Sequence, residues 1–319
     1  MLFERVLLGS LMIAAMVGLI ILDVWLSGPT LSDPVAVPGA SPTIRSNGLP
    51  VVVVVVVLTI VAAYELGKLL NRAGYRPAKH WAAFVAAGLV VIPWIVLQHA
   101  TRANGAWSGL SDLSLSMTAF WLAGGIIGAA LAVLVRQKTE QAFAHMAATI
   151  FVFMYLGLLA SFLVRIRYLD PGPAGAILVL YCVLTIKMGD IGAYFTGRFL
   201  GKHPLAPWLS PKKTVEGFVG AVVLAAGFAA VVTPLWAAKG SAAFGSPPFK
   251  LPQAIVFGIL MAVMGHLGDF AESAIKRDVG VKHSGAASSS FGGLLDILDS
   301  PLFAAPAAWW AMTILAEAR

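Results

Sequence analysis

Long apolar segments alternate with short polar ones along the chain. Most of the apolar segments have roughly the 20 residues that a helix needs to cross about 30 Å of hydrocarbon. The pattern predicts nine membrane-spanning helices, at residues 6–26, 50–69, 81–98, 116–135, 145–164, 174–197, 217–237, 252–275 and 300–316. The third and ninth segments are short, so a tilted, partly buried or re-entrant helix is an alternative for each.

The composition indicates the same class of protein. Of the 319 residues 59% are hydrophobic and the mean hydropathy is +0.86, which exceeds what a soluble domain needs to fill its core. The sequence therefore predicts an all-α, polytopic integral membrane protein. The first apolar segment is longer than that of a signal peptide and no clear Ala-x-Ala cleavage site follows it, so we expect an uncleaved anchor.

The basic residues predict the orientation in the membrane. The net charge is +7, and with a cytoplasmic N-terminus most Lys and Arg fall in cytoplasmic segments, as the positive-inside rule requires. This orientation places the charged segments around residues 198–217 and 276–299 on the cytoplasmic side of the cell (inner) membrane. Attraction to anionic membrane lipid, together with the positive-inside bias, accounts for the excess of basic over acidic residues, so no nucleic-acid partner is expected.

Ionisable residues divide the chain into two predicted regions. Residues 1–165 have almost none inside their spans, which indicates an N-terminal transmembrane scaffold. Residues 166–319 form the predicted C-terminal catalytic region, because charges close to hydrocarbon are costly and usually serve ions, protons or polar substrates. The groups within or next to these spans are Lys187, Asp190, Glu216, His266, Asp269, Glu272, Asp296 and Asp299.

Two carboxylate pairs are the strongest candidates for chemistry. Asp269 and Glu272 stand three residues apart on one helix face, and Asp296 and Asp299 repeat the spacing. Mg²⁺ prefers a few carboxylates together with water and phosphate oxygens, so these pairs indicate a magnesium site. The alternative is a structural network of buried ion pairs in which the first pair binds Lys276 and Arg277.

Residues 209–217 predict a helix start that binds anions. Ser210 is the expected N-cap and Pro211 the expected first helical residue. The free N–H groups of that end, with Lys212, Lys213 and Thr214 beside them, suit phosphates. A basic loop whose side chains reach lipid headgroups is the alternative. For Asp190 the alternative to a substrate role is a neutralised pair with Lys187.

These residues resemble the phosphatidate cytidylyltransferase family, also called CDP-diacylglycerol synthases. The resemblance covers two blocks. The first consists of Asp190-Ile191-Gly192-Ala193-Tyr194, Gly197-Arg198, Gly201-Lys202-His203 and residues 210–217. The second consists of Gly268-Asp269, Glu272-Ser273, Lys276-Arg277, Gly280-Val281-Lys282, Gly292-Gly293, Asp296 and Asp299-Ser300. The chain departs from the second block where His283 replaces an Asp, Ser289-Ser290-Phe291 replaces Pro-Gly-His, and Ile297 replaces an Arg.

The resemblance implies a Mg²⁺-dependent nucleotidyltransferase that converts CTP and phosphatidate to CDP-diacylglycerol and pyrophosphate. Our hypothesis for this reaction is that Asp269 and Asp296, with Glu272 and Asp299 as ligands or supports, hold Mg²⁺ against the CTP phosphates, with a second cation left open. The basic residues expected to bind phosphates are Lys212, Lys213, Lys276, Arg277 and Lys282. Ser210 and Thr214 would help cap the phosphate-facing helix, and Asp190 would lie near the lipid phosphate or order the basic groups. The family also implies a homodimer.

Two other functions are weighed against this one. An ion-coupled transporter also places acids and bases inside the membrane, although the sequence shows no inverted repeat of the kind such transporters use. A catalytically weakened relative that binds nucleotide or lipid is the other alternative, supported by His283, Phe291 and Ile297.

Overall fold

The computed structural model describes residues 2–27, 48–102, 110–135, 140–170, 172–240, 246–280 and 293–317. Over these ranges the chain forms nine helices and one short β-hairpin. The helices are α1 (Leu2–Ser27), α2 (Leu49–Arg72), α3 (Lys79–Arg102), α4 (Leu110–Val135), α5 (Ala142–Arg167), α6 (Pro173–Leu200), α7 (Val215–Leu235), α8 (Leu251–Asp278) and α9 (Leu295–Glu317). The strands β1 (Pro204–Ala206) and β2 (Ser210–Thr214) pair antiparallel.

The helices confirm the predicted all-α membrane fold. Within the described ranges seven helices, α2 to α8, are long and apolar enough to cross a membrane, and α3, one of the two short predictions, is among them. Helices α1 and α9 cover the other two predicted segments, and the apolar part of α1 that the structure describes is Ala14–Leu26. The described residues include two π-helical segments, Phe153–Leu158 within α5 and Trp236–Gly240 directly after α7.

The chain divides into two compact units, Met1–Ala176 and Ile177–Arg319. The first holds α1 to α5, and the second holds most of α6, the hairpin and α7 to α9. The boundary that the sequence predicts, after residue 165, lies near the end of α5, so the structural boundary falls slightly later. The roles of scaffold and catalytic region remain predictions.

Reciprocal tryptophan contacts hold α3 and α4 together in the first unit. Trp81 of α3 donates its indole N–H to the Gly125 carbonyl oxygen (3.1 Å), and Trp121 of α4 donates to that of Val85 (2.9 Å). Each ring lies against a glycine of the opposite helix, Gly128 and Gly88 respectively, where a Cβ atom would overlap the ring. The indoles therefore pack against backbone, and both N–H groups are satisfied away from water.

A buried ion pair joins α1 to the end of α5. The Arg167 Nε atom lies 2.7 Å from Asp23 Oδ2, and both side chains are fully buried. Arg167 Nη1 also donates to the carbonyl oxygens of Asp170 (3.2 Å) and Gly172 (3.1 Å). This pair lies in the half whose spans the sequence assigns a scaffold role. We expect its role to be structural, because both side chains are fully buried.

The Asp23→Asn variant is expected to lower the melting temperature of the purified protein. It leaves the Arg167 charge buried without a carboxylate, and breaking a buried pair in this way costs about 3–5 kcal/mol. Thermal unfolding in detergent measures the effect. Asp112→Asn, which changes an exposed carboxylate in the first turn of α4, is the matched control. Equal melting temperatures for the two variants would contradict a stabilising role of the pair.

Candidate active site

Helix α8 carries one carboxylate pair and a lysine along the face that meets the start of α9. Lys276 Nζ lies 2.6 Å from Glu272 Oε2 and 2.9 Å from Asp296 Oδ1, so one ammonium group bridges the two helices. Glu272 is only 1% exposed. The backbone N–H of Gly293 donates to Asp296 Oδ2 (2.8 Å), which orients that carboxylate at the first turn of α9.

A second cluster forms around Asp269, one turn before Glu272. Lys213 Nζ donates to Asp269 Oδ2 (2.7 Å), and the Ser300 hydroxyl donates to Asp269 Oδ1 (2.6 Å). The same hydroxyl oxygen lies 3.3 Å from Asp299 Oδ1, which accepts the Ser300 backbone N–H at 2.6 Å. The ammonium of Lys213 also lies 4.5 Å from the centroid of the Phe270 ring, a cation–π geometry. The structure thus brings β2, α8 and α9 together at Asp269.

The predicted helix start at Ser210 is wrong. Ser210 opposes Ala206 and Thr214 opposes Pro204 in the hairpin, so this segment is extended and its backbone pairs with β1. The N-cap is Thr214, whose Oγ1 accepts the Gly217 N–H at 3.1 Å. Strand pairing therefore outweighs the local N-cap preference of Ser-Pro and delays the helix by one turn.

The hairpin places the two lysines of β2 differently. Side chains alternate between the two faces of a strand, and Lys213 reaches Asp269 while its neighbour Lys212 is exposed. Arg277, near the end of α8, donates from Nε to the Leu209 carbonyl oxygen (3.3 Å) and so ties α8 to the hairpin turn. The alternative to a metal site is a network of ion pairs in which Lys276 and Arg277 neutralise the first carboxylate pair. Lys276 does pair with Glu272, whereas Arg277 donates to a backbone carbonyl.

Sequence reasoning assigned no site role to Glu216, which organises the chain before β1. Glu216 Oε2 accepts the backbone N–H groups of Lys202 (3.1 Å) and His203 (3.2 Å), and Oε1 lies 2.5 Å from His203 Nδ1. Glu216 thereby holds residues 202–203 against the first turn of α7. The sequence feature that could have indicated this role is the position of Glu216 close to Lys213 and two residues after the N-cap Thr214. Ser300 was also missed, although it directly follows Asp299.

Asp190 is paired within α6. Lys187 Nζ lies 2.9 Å from Asp190 Oδ2, so the neutralised pair considered from the sequence is formed. Both groups are near enough to Asp269 for their charges to interact with it. Lys282 lies outside the described residues, as do His283, Phe291 and Gly292. Ile297 lies in the first turn of α9.

The donor set fits a hard divalent cation in its chemistry. Among the described residues no three His, Cys, Asp or Glu side chains converge at metal-binding distance, because lysines bridge the carboxylates. The buried Glu272 Oε1 atom nevertheless has no hydrogen-bond partner in the described part of the chain. The carboxyl groups of the two clusters, Asp269, Glu272, Asp296 and Asp299, outnumber the lysines that pair with them, Lys213 and Lys276. Carboxylate oxygens are among the ligands that Mg²⁺ prefers.

Close packing of α8 on α9 depends on Gly268. A Cβ atom there would lie 2.5 Å from the Asp299 carbonyl oxygen and 2.8 Å from Phe303 Cβ. A glycine thus allows the two carboxylate-bearing helices to approach each other.

Gly268→Ala is expected to separate the two helices by a few tenths of an ångström or more and to lower both the melting temperature and any catalytic rate. Overpacking of this kind costs typically about 1–3 kcal/mol. Gly227→Ala in α7 is the control, because its Cβ would meet nothing within 4 Å. Melting curves and turnover of both variants test this, and a Gly268→Ala protein indistinguishable from the control would refute it.

The fold and the cluster define a polytopic membrane protein with lysine-bridged carboxylates between two helices. The sequence matches the cytidylyltransferase family over residues 30–315, and the chain belongs to that family. It is thus a member of a family of nucleotidyltransferases. The predicted resemblance is confirmed.

Individual relatives carry a more specific name. The chain is 29% identical to the phosphatidate cytidylyltransferase of Staphylococcus aureus (strain COL) over 279 residues, covering 87% of this chain and 95% of that protein. It is 35% identical to that of Bacillus subtilis (strain 168) over 161 residues, covering 50% and 56% respectively. With that of Mycobacterium bovis it shares 33% identity over 169 residues, 53% of this chain and 51% of that protein. The last two matches span about half of each relative.

Proposed function

We propose that this membrane protein transfers CMP from CTP to phosphatidate and forms CDP-diacylglycerol and pyrophosphate. The observation that carries the proposal is the meeting of Lys213, Asp269 and Ser300 from three separate elements. These residues lie in the two sequence blocks that resemble the family. The relatives named phosphatidate cytidylyltransferase support the same substrates.

The reaction needs charge neutralisation more than acid–base chemistry. A phosphate monoester loses its second proton at a pKa of about 6, so phosphatidate is largely dianionic at neutral pH and is already a nucleophile. Its oxygen attacks the α-phosphorus of CTP, a P–O bond forms there, and the bond to the β-phosphate oxygen breaks to release pyrophosphate. The barrier comes from bringing two anions together, and positioned cations lower it.

The lysines are the proposed phosphate-binding groups. Lys213 and Lys276 are held by carboxylates, so their ammonium groups are positioned before substrate binds. Exposed Lys212 is proposed to contact phosphate from the hairpin, as is Lys282 from its segment. Asp190 is proposed to position Lys187 near the lipid phosphate.

Three residues are proposed to act through the backbone. Thr214 caps α7, and Arg277 positions the hairpin through Leu209. Ser210, at the start of β2, is paired with Ala206 of β1. This register of the hairpin is proposed to direct the Lys213 side chain towards Asp269.

Mg²⁺ is the proposed cofactor. Asp269 and Asp296 are its proposed ligands, with Glu272 and Asp299 as further ligands or supports. When bound, Mg²⁺ would neutralise phosphate oxygens as the leaving pyrophosphate gains charge. The orphaned Glu272 Oε1 atom and the excess of carboxylates support this assignment. We further propose that the site faces the cytoplasm, which the distribution of Lys and Arg and the supply of CTP both favour.

Turnover is tested with purified protein in detergent supplied with labelled CTP, phosphatidate and Mg²⁺. We expect labelled CDP-diacylglycerol and pyrophosphate in equal amounts. A well-folded protein that forms no product would refute the enzyme. Solute flux into vesicles that needs neither CTP nor divalent metal would instead favour a transporter.

Removal of divalent metal with EDTA is expected to reduce this turnover by about 100-fold or more, because the phosphate charges lose their main counterion. Adding Mg²⁺ back in excess should restore the rate, whereas EDTA saturated beforehand with Mg²⁺ is the control and should have no effect. A rate that is unchanged in EDTA would contradict the metal assignment without contradicting the transfer reaction.

A further inference from the structure

The first unit contains a cleft that the proposed reaction does not use. Its volume is about 830 Å³, within the range of small-molecule sites in proteins. It lies where the end of α2, the start of α3, the end of α4 and the start of α5 meet. The lining side chains that matter here are Asn71, Arg76, Lys79, His80, Trp81 and His145.

The cleft is cationic. Arg76 and Lys79 contribute positive charges, and none of the described lining residues carries a carboxylate. His145 Nδ1 accepts the backbone N–H of Arg76 (3.1 Å), so a neutral His145 ring must carry its proton on Nε2. His80 Nδ1 is hydrogen-bonded to the Tyr64 hydroxyl at 2.9 Å. Each imidazole thus has one nitrogen engaged and a second available to a ligand.

The walls of the cleft are built in advance. The segment between α2 and α3 is fastened to α5 by the Arg76 contact and by the Ala78 N–H, which donates to Thr149 Oγ1 (2.9 Å). Trp81 is fixed by its bond to the Gly125 carbonyl and by its packing on Gly128. A ligand would therefore meet a preformed site and would not have to order these groups.

The position of the cleft indicates a lipid. Lys79 begins α3, and Val133, also in the lining, lies just before the end of α4, so the cleft is at the end of the apolar spans. Beside it, Leu134 and Val135 of α4 are 69% and 81% exposed, an apolar surface suited to acyl chains. Lys and Arg clusters at this depth bind anionic headgroups. The Trp81 ring is packed against α4 and Phe84, which disfavours stacking on a nucleotide base.

We propose that this cleft binds the phosphate group of an anionic phospholipid. Arg76 and Lys79 bind the phosphate oxygens, the His145 Nε2–H group donates a further hydrogen bond, and the acyl chains lie along the exposed end of α4. This proposal concerns the first unit and does not depend on the proposed reaction.

Native mass spectrometry of the full-length protein in neutral detergent tests the proposal, with dioctanoyl phosphatidylglycerol as probe and dioctanoyl phosphatidylcholine as the zwitterionic comparison. We expect saturable retention of one phosphatidylglycerol. The double variant Arg76→Gln, Lys79→Gln removes two cationic groups and should weaken retention about tenfold or more, because the loss of even one charge-assisted hydrogen bond has an effect of this size. Val133→Trp, which fills the cleft but keeps its charges, should weaken it as well.

The matched control is Lys68→Gln with Arg72→Gln, which removes the same charge from exposed positions of α2 that do not line the cleft. Retention should be unchanged in this control. Equal loss in the control and in the cleft variants, or equal retention of phosphatidylcholine, would overturn the proposal. Displacement of the lipid by millimolar inorganic phosphate or by CTP would also overturn it, since the ligand would then be a soluble anion.

Discussion

The Asp269→Asn variant is expected to lose CDP-diacylglycerol synthesis by on the order of 10²–10³-fold, the cost of removing one preorganised electrostatic group. Asp269 is where Lys213 and Ser300 meet, at 2.7 and 2.6 Å, and it is a proposed ligand of Mg²⁺. An asparagine keeps the shape of the side chain but loses its charge. It can therefore hold neither the ammonium group nor the cation as the aspartate does.

Activity and folding can be separated in this experiment. Lys213 and Asp269 are each about a quarter exposed in their side chains, at 23% and 27%, so solvent screens part of the loss and the melting temperature should fall less than in Asp23→Asn, whose ion pair is fully buried. Asp278→Asn, an exposed carboxylate at the end of the same helix, should keep full activity. A folded Asp269→Asn protein with more than a tenth of the normal rate would exclude Asp269 from the catalytic machinery.

The Lys276→Met variant is expected to lose both stability and activity. Its side chain and that of Asp296 are 15% and 14% exposed, and that of Glu272 is 2% exposed. Removing the shared ammonium leaves two carboxylates facing each other in a buried site. Breaking such a pair costs about 3–5 kcal/mol, which partial exposure of Asp296 reduces. We expect a lower melting temperature in detergent and a loss of turnover of about 100-fold or more.

A double variant distinguishes the two roles of Lys276. Glu272→Gln combined with Lys276→Met removes one of the two uncompensated carboxylates and leaves that of Asp296, so the melting temperature should recover in part, by an amount that a double-mutant cycle measures. Turnover should stay low, because the phosphate-binding ammonium is still missing. Recovery of turnover together with stability would show that Lys276 is only structural. Lys202→Met, at an exposed lysine before β1, controls for the loss of positive charge alone.

The helix positions were predictable because the length of an apolar segment can be measured along the sequence alone. A run of about 20 apolar residues predicts a helix whatever surrounds it, and the nine predicted segments all coincide with helices of the structure. The three-residue spacing of Asp269 and Glu272 similarly predicts that they share a helix face. That spacing is realised on α8, where Lys276 follows one turn later.

The start of α7 was not predictable from local preference. Ser210-Pro211 is a good N-cap sequence, yet the segment pairs with Pro204–Ala206 and Thr214 takes the cap. The competing hydrogen bonds come from a neighbouring strand, and short β-pairing is weakly encoded in a single sequence. The same pairing decides which lysine, Lys212 or Lys213, reaches Asp269.

The membrane class, the approximate helices, the family and the candidate carboxylates of the site could be predicted from the sequence, because each prediction depends on residue type and short spacing. The charge partners that are far apart in the sequence followed only from the tertiary structure. Lys213 meets Asp269 from 56 positions away and Arg167 meets Asp23 from 144. An ammonium or guanidinium group inside an apolar protein binds the carboxylate that packing brings within hydrogen-bond distance, and packing depends on contacts across the whole chain.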